Sequence, residues 1–141
     1  MYIERNKSIM KKFETMINTM DINLANELIS PDAKFTTPIS PDPLVGGEGY
    51  LSVVKFMRSG FSNVKWEIED MVTENNIVAI NWTCMGTHDG EFLGIKPTGK
   101  TFNTRIMNFY YFDDNGKIIN DIAAEGMIAI FKAIGACPLL V

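Results

Sequence analysis

Apolar residues recur with the spacing of an α-helix near the start of the chain. Between residues 8 and 20 they form one stripe, with lysine, glutamate and asparagine on the opposite side, which predicts an amphipathic helix. The stripe consists of Ile9, Met10, Phe13, Met16, Ile17 and Met20. A second, shorter helix is predicted over residues 21–28, with Asp21 as its N-cap, and a third over residues 48–58.

The period of the apolar positions changes to that of β-strands in the second half of the chain. Clusters of turn residues at 74–76 and 113–116 separate these segments. The predicted long strands cover residues 64–73, 77–88, 100–112 and 117–124, and a short strand at 33–37 precedes them. Such long strands joined by tight turns are typical of an antiparallel meander.

Three prolines and a last apolar segment complete the pattern. Pro38, Pro41 and Pro43 predict a stretch without regular structure before the third helix, and a final short helix is predicted over residues 127–134. Helices followed by a meander predict an α+β fold. We expect a curved antiparallel sheet wrapped around the N-terminal helix, with a pocket at its open end.

Both faces of the long strands are largely apolar. Along residues 102–112, Phe102, Ile106 and Tyr110 share one face, while Met107 and Phe109 share the other. A single-layer antiparallel sheet usually leaves one face in water, and four helices are too few to cover both faces here. The pattern therefore predicts a homodimer that packs through the outer face of the sheet.

Composition narrows the possible functions. With 141 residues, 46% hydrophobic and 21% charged, the chain is predicted to form one domain over residues 1–141. A net charge of −4 gives no basic surface for nucleic acid or membranes, and the polar N-terminus does not look like a secretory signal. We therefore predict a cytoplasmic protein in which Cys84 and Cys137 are free thiols, with a disulfide as the less favoured alternative.

The connection between the strands at 77–88 and 100–112 carries the most informative motif. Residues 86–100 read GTHDGEFLGIKPTGK, and a Gly-Lys-Ile turn follows at residues 116–118. This combination resembles the SnoaL-like polyketide cyclases, which are small enzymes with the cone-shaped fold of nuclear transport factor two. The Ser-Pro-Asp corner at 30–32 and the glycines at 46 and 47 stand in the order that the family shows.

The resemblance implies a chemistry and a set of positions. In these cyclases a buried carboxylic acid serves as acid and base for aldol closure, without metal or cofactor. That acid lies seven residues beyond the glycine of the Gly-Lys-Ile turn, where this chain has Ala123. A supporting histidine and glutamine correspond to Asn108 and Ile106, and Ile17 falls where the family packs a bulky side chain against the substrate. The predicted pocket residues are Ile17, Trp82, Ile106, Asn108 and Ala123.

Three other residues are candidates for acid/base catalysis. Asp121 and Glu125 each lie two residues from Ala123, so strand alternation directs them to the same face, where either could replace the family acid. The alternative is that both are solvated, with Glu125 simply a favourable charge before a helix. His88, the only histidine, titrates near neutral pH, although a structural role in its corner is the alternative.

These observations predict a small-molecule enzyme that performs cofactor-free acid/base chemistry on an apolar, carbonyl-bearing substrate. Aldol cyclisation and isomerisation are the two reactions considered. The alternative is a non-catalytic small-molecule-binding protein of the same fold, because Ala123 stands in the place of the family acid. We predict a small apolar molecule as partner, and no metal, cofactor, nucleic acid or membrane.

Overall fold

A computed structural model of the protein describes residues 2–37, 40–124 and 126–135. Within these ranges the elements are α1 (Tyr2–Thr19), α2 (Ile22–Leu28), β1 (Lys34–Thr37), β2 (Ser40–Val45), α3 (Gly46–Gly60), β3 (Lys65–Glu74), β4 (Ile77–Thr87), β5 (Thr101–Phe112), β6 (Ile118–Ala124) and α4 (Gly126–Ile134). The predicted α+β class is confirmed. No helix in these ranges is long and apolar enough to cross a membrane.

Helix α1 buries its apolar stripe and extends further toward the N-terminus than the predicted start at residue 8. Met10 and Phe13 have no exposed surface. Near the end of the helix, the Asn18 side-chain amide donates to the Trp66 carbonyl at 2.7 Å and accepts the Trp66 N–H at 3.0 Å. These two bonds join α1 to the first strand of the large sheet, so the position of Phe13 over that sheet is fixed.

Helices α2 and α3 follow the predicted pattern closely. The predicted N-cap of α2 is confirmed, because the Asp21 carboxylate accepts the Leu24 N–H at 3.0 Å. Helix α3 buries Leu51, Val54 and Met57 on one side. Tyr50 lies next to this buried side, and α3 thereby brings its hydroxyl toward the interior.

The predicted irregular stretch before α3 is wrong, because β2 (Ser40–Val45) pairs with β1 in a two-stranded sheet. Pro41 and Pro43 lie within β2, opposite a shift in register between Phe35 and Thr37. Both strands of a two-stranded sheet are edges, and an edge strand tolerates prolines because some of its N–H groups need no partner. The third proline of the group lies outside the described residues.

The large sheet is antiparallel, with the strand order β3-β4-β5-β6. Its register shifts between Ile68 and Asp70, and such a bulge bends a strand and increases its twist. The inner face of β4 is buried and consists of Val78, Ile80, Trp82 and Cys84. The first three share a core cluster with the buried residues of α1, whereas Cys84 belongs to a second cluster with Phe61 and Phe102.

One row of apolar side chains crosses the outer face of this sheet. The register places Val72, Ala79, Phe109 and Ile122 side by side on the four strands. Val72 is 67% exposed, Phe109 is 52% exposed and Ile122 is 56% exposed. A continuous apolar row with this exposure is uncommon on a surface that contacts only water.

Candidate active site

A cavity of about 190 Å³ lies between α1, α3, β1 and the inner face of the large sheet. We call it the inner cavity. Its aromatic lining consists of Phe35, Tyr50, Trp66, Trp82 and Tyr110. Two further lining residues, Thr36 and Ala123, are exposed, so the inner cavity opens to solvent beside them. An apolar hollow with a few convergent polar groups is the usual form of a small-molecule site.

Asp121 supplies the only charged side chain among the described residues that line the inner cavity. Its Oδ1 atom accepts a hydrogen bond from Asn108 Nδ2 at 2.7 Å, and its Oδ2 atom accepts one from the Tyr50 hydroxyl at 3.0 Å. The two donors come from β5 and α3. Each carboxylate oxygen is thus held from a different side, which fixes the plane of the carboxyl group.

The environment shifts the proton affinity of this carboxyl group. Burial raises the pKa of Asp121 from 3.8 to about 6. The hydrogen bonds from Asn108 and Tyr50 oppose that rise, because they stabilise the carboxylate form. A group with a pKa near 6 can both accept and release a proton close to neutral pH, which is what a general acid/base requires.

Tyr50 is a site residue that sequence reasoning missed. Its ring makes edge contacts with Phe13 and Phe35, each with a centroid distance of 5.0 Å. Burial, and next the negative charge of Asp121, raise the pKa of Tyr50 well above 10.0, so its hydroxyl stays protonated as a donor. The available signal was its place on the inner side of α3, since a buried tyrosine hydroxyl needs a partner.

Strand register explains how Asp121 reaches the inner cavity. Ala123 lies opposite Asn108, and Asp121 lies opposite Tyr110. Asp121 and Ala123 share the inner side of β6, and the Asn108 amide reaches diagonally past Ala123 to the carboxyl group. The Asp121 carboxyl group therefore lies one inward-facing position along β6 from Ala123, the place where the family resemblance expects an acid.

The structure brings most of the predicted site residues together. The five predicted pocket residues line the inner cavity: Ile17, Trp82, Ile106, Asn108 and Ala123. Of the two predicted acids, Asp121 lines it as well, whereas Glu125 lies outside the described residues. The catalytic and binding roles of all these residues stay predictions.

His88 is placed apart from the inner cavity, in the corner between β4 and β5. Its side chain is fully buried, and its Nδ1 atom accepts the Thr98 N–H at 3.2 Å and lies 2.9 Å from Thr98 Oγ1. Its ring packs against Phe61 with a centroid distance of 5.4 Å. Its backbone also bonds to Lys100 and Gly99, at 2.8 and 2.9 Å. These contacts hold the corner together and place His88 away from the inner cavity, and its predicted catalytic role stays a prediction.

The described residues contain no group of three or more histidine, cysteine, aspartate or glutamate side chains arranged to hold a metal ion. Cys84 is free and buried, and burial raises the pKa of its thiol to about 12. At neutral pH this thiol is therefore protonated and a poor nucleophile. The other cysteine, Cys137, lies outside the described residues.

We predict that Tyr50→Phe raises the pKa of Asp121 by about one pH unit, because a hydrogen bond to a charged group is lost while the ring stays in place. The measurement is a ¹³C NMR titration of the aspartate side-chain carboxyls, with Asp121→Asn used to assign the signal. Tyr111→Phe is the control, because Tyr111 neighbours Tyr110 on the opposite face of β5. An unchanged midpoint in Tyr50→Phe would show that this hydroxyl does not act on the carboxyl group.

Comparison with known proteins agrees with this architecture. The sequence model of the SnoaL-like polyketide cyclases matches residues 7–134. None of the curated proteins matches the chain significantly.

Several solved structures resemble the chain over nearly its whole length. IdmH from Streptomyces antibioticus, a candidate polyketide cyclase, is 26% identical, with a TM-score of 0.75 over 92% of this chain and 98% of its own. A candidate SnoaL-like polyketide cyclase from Jannaschia sp. CCS1 is 20% identical, with a TM-score of 0.79 over 96% and 95% of the two chains. TsrD from Streptomyces laurentii is 19% identical, with a TM-score of 0.78 over 92% and 94%. The last two share the fold.

Proposed function

Because the chain belongs to the SnoaL-like polyketide cyclase family, we propose that it is an enzyme that transfers a proton on an apolar, carbonyl-bearing small molecule. The inner cavity would bind the substrate, and Asp121 would act as the acid and base. The observation that carries this proposal is the Asp121 carboxyl group itself. It lines an aromatic cavity, is held by two donors and has a pKa near 6.

The proposed reaction begins with the Asp121 carboxylate taking a proton from the carbon next to the substrate carbonyl. The C–H electron pair becomes the C=C bond of an enolate, and negative charge develops on the carbonyl oxygen. In an isomerisation, Asp121 returns the proton to another carbon. In an aldol cyclisation, the enolate carbon attacks a second carbonyl, and the proton ends on the new alkoxide oxygen. Both routes balance without a cofactor.

Asn108 has a proposed role in the same step. One N–H of its amide group donates to Asp121, which leaves the second N–H of that amide for another acceptor. We assign this second N–H to the carbonyl oxygen of the substrate, where it would stabilise the developing negative charge. The Asn108 amide would then place the carbon next to the substrate carbonyl beside the Asp121 carboxylate.

Hydrogen–deuterium exchange of a simple ketone tests the proposed function without knowledge of the natural substrate. 2-Tetralone is a neutral two-ring ketone whose protons next to the carbonyl can be followed by ¹H NMR in D₂O. We expect the protein to accelerate their exchange above the rate in buffer. Exchange at the buffer rate, at protein concentrations that bind the ketone, would contradict an acid/base role and favour the alternative of a non-catalytic binding protein. The presence of Ala123 in place of the family acid motivates that alternative.

We further propose that the protein is a homodimer joined through the outer face of the large sheet. The row of Val72, Ala79, Phe109 and Ile122, of which all but Ala79 are more than half exposed, supports this, because a second copy would remove the row from water. Sedimentation of the wild type should give a dimer mass, and Phe109→Lys should give a monomer. Leu93→Lys, in the corner between β4 and β5, is the control, because Leu93 is 51% exposed but lies outside the row. A wild-type monomer at every concentration would exclude this dimer.

A further inference from the structure

The described lining of the inner cavity carries a negative charge without a positive one. None of the described residues that line it is a lysine, arginine or histidine, and Asp121 is the one that carries a negative charge. The indole N–H of Trp82 is already used, because it donates to the Tyr110 hydroxyl at 3.0 Å. The lining thus has no described cation to pair with an anionic ligand, and an unpaired anion in an apolar cavity is strongly disfavoured.

An anionic ligand is disfavoured in whichever orientation it enters the inner cavity. Asn108, Tyr110 and Asp121 lie together where β5 pairs with β6. An anionic group placed there would meet the carboxylate of Asp121. The lining also includes Met57 and Ile130, whose side chains offer no hydrogen-bond donor. A charged group placed against these two side chains would find no donor on them to replace its water.

The volume sets an upper limit on the enclosed part of a ligand. A cavity of about 150 Å³ in a protein core is known to hold benzene. The inner cavity measures about 190 Å³, which is only moderately larger. It therefore encloses a compact ring system, and any larger portion of a ligand has to extend past Thr36 and Ala123 into solvent.

We propose that the inner cavity selects an electrically neutral ligand with one or two rings and a carbonyl group toward Asn108 and Asp121, and rejects the same ring bearing a carboxylate. This rests on the proposed function for the site but concerns recognition, not proton transfer. The carboxylate of Asp121 would act as the discriminating group by repulsion, in addition to its chemical role.

Three probes of almost the same shape test this selection: 4-methylacetophenone, 4-methylbenzamide and 4-methylbenzoate. The first two are neutral and the third is an anion at neutral pH. Trp66 and Trp82 are the two tryptophans of the chain and both line the inner cavity, so their indole N–H signals in ¹⁵N NMR report binding. We expect the neutral probes to bind at least about tenfold more tightly than 4-methylbenzoate near pH 7.5.

Asp121→Asn provides the matched control, since it removes the charge and keeps the size of the side chain. We expect the preference for neutral probes to fall to about threefold or less in this variant. If Asp121→Asn does not fold, the wild type at about pH 5 serves instead, because Asp121 is then mostly protonated while 4-methylbenzoate is still mainly an anion. Equal binding of all three probes by the wild type, or an undiminished preference after Asp121 is neutralised, would overturn the inference.

This result is independent of catalysis. A protein that discriminates between the probes but does not accelerate ketone exchange satisfies the recognition inference and contradicts the proposed enzymatic function. A protein that accelerates exchange but binds the anion equally well satisfies the function and contradicts the inference.

Discussion

Asp121→Asn is expected to lower the protein-dependent exchange of ketone α-protons by about 10²- to 10⁴-fold, the usual contribution of a general acid/base. The amide fills the same space and still offers one oxygen acceptor to Tyr50 or Asn108, but it cannot take up the proton. The measurement is the exchange rate of 2-tetralone in D₂O as a function of pH. The wild-type rate should rise through a pH near 6 as the carboxylate forms, and this rise should be absent in the variant.

Asp32→Asn is the matched control, since Asp32 is exposed in the turn after α2. It should leave the exchange rate and its pH dependence unchanged. An Asp121→Asn protein that binds 2-tetralone and exchanges its protons at the wild-type rate would remove Asp121 from the mechanism. Glu125 would then be the next acid to test.

Asp121→Asn should also increase the free energy of unfolding above neutral pH. The pKa of Asp121 is about 6 in the folded protein, whereas an ordinary aspartate has a pKa of 3.8, so between these values the folded state binds more protons than the unfolded state. Stability therefore falls as the pH rises through this window, by roughly 3 kcal/mol at most. The neutral amide of Asp121→Asn avoids that loss of stability. The gain is reduced by the loss of one hydrogen bond, because the amide has one oxygen acceptor where the carboxylate has two. Urea unfolding should show a higher free energy of unfolding for Asp121→Asn than for the wild type at pH 8, and this difference should disappear at pH 4.

Phe13→Ala is expected to lower the free energy of unfolding by about 3–5 kcal/mol. Phe13 has no exposed surface. Its ring lies 5.0 Å from that of Tyr50, 5.2 Å from that of Tyr110 and 6.3 Å from that of Trp82, measured between centroids. Removing the ring leaves a hole beside Tyr50, which donates a hydrogen bond to the Asp121 carboxyl group. Urea unfolding followed by circular dichroism measures the change in stability.

Two variants control for helix propensity and for the shape of the side chain. Ile3→Ala lies on the same helix α1, but Ile3 is 42% exposed, so we expect a loss below about 1 kcal/mol. Phe13→Leu keeps most of the volume and should fall between the two alanine variants. A loss in Phe13→Ala no larger than that in Ile3→Ala would contradict the central position that the structure gives to Phe13.

Periodicity predicted most of the fold because burial of one face determines most of these elements. The stripe that includes Phe13 predicted α1, and the alternation around Trp82 predicted β4. Strand β2 was missed because Pro41 and Pro43 argue against a strand unless it is known to be an edge. That information lies in the pairing of strands and not in the local sequence.

The candidate site was predictable only in part for a related reason. Counting two residues along β6 was sufficient to place Asp121 on the same side as Ala123. The hydrogen bond from Tyr50 was not predictable, because it joins residues 71 positions apart on a helix and a strand. The residue type of His88 suggests acid/base chemistry, but the sequence did not show that its side chain lies buried in the corner against Phe61 and Thr98.

The most direct test of the account is the pKa of Asp121 in the wild-type protein, measured by ¹³C NMR titration of its carboxyl carbon. We predict a midpoint near 6, because the carboxyl group lines the inner cavity, where burial raises its pKa, and is held by Tyr50 and Asn108. A midpoint near 3.8, the ordinary value for aspartate, would contradict it, because the carboxyl group would then be an ordinary solvated one.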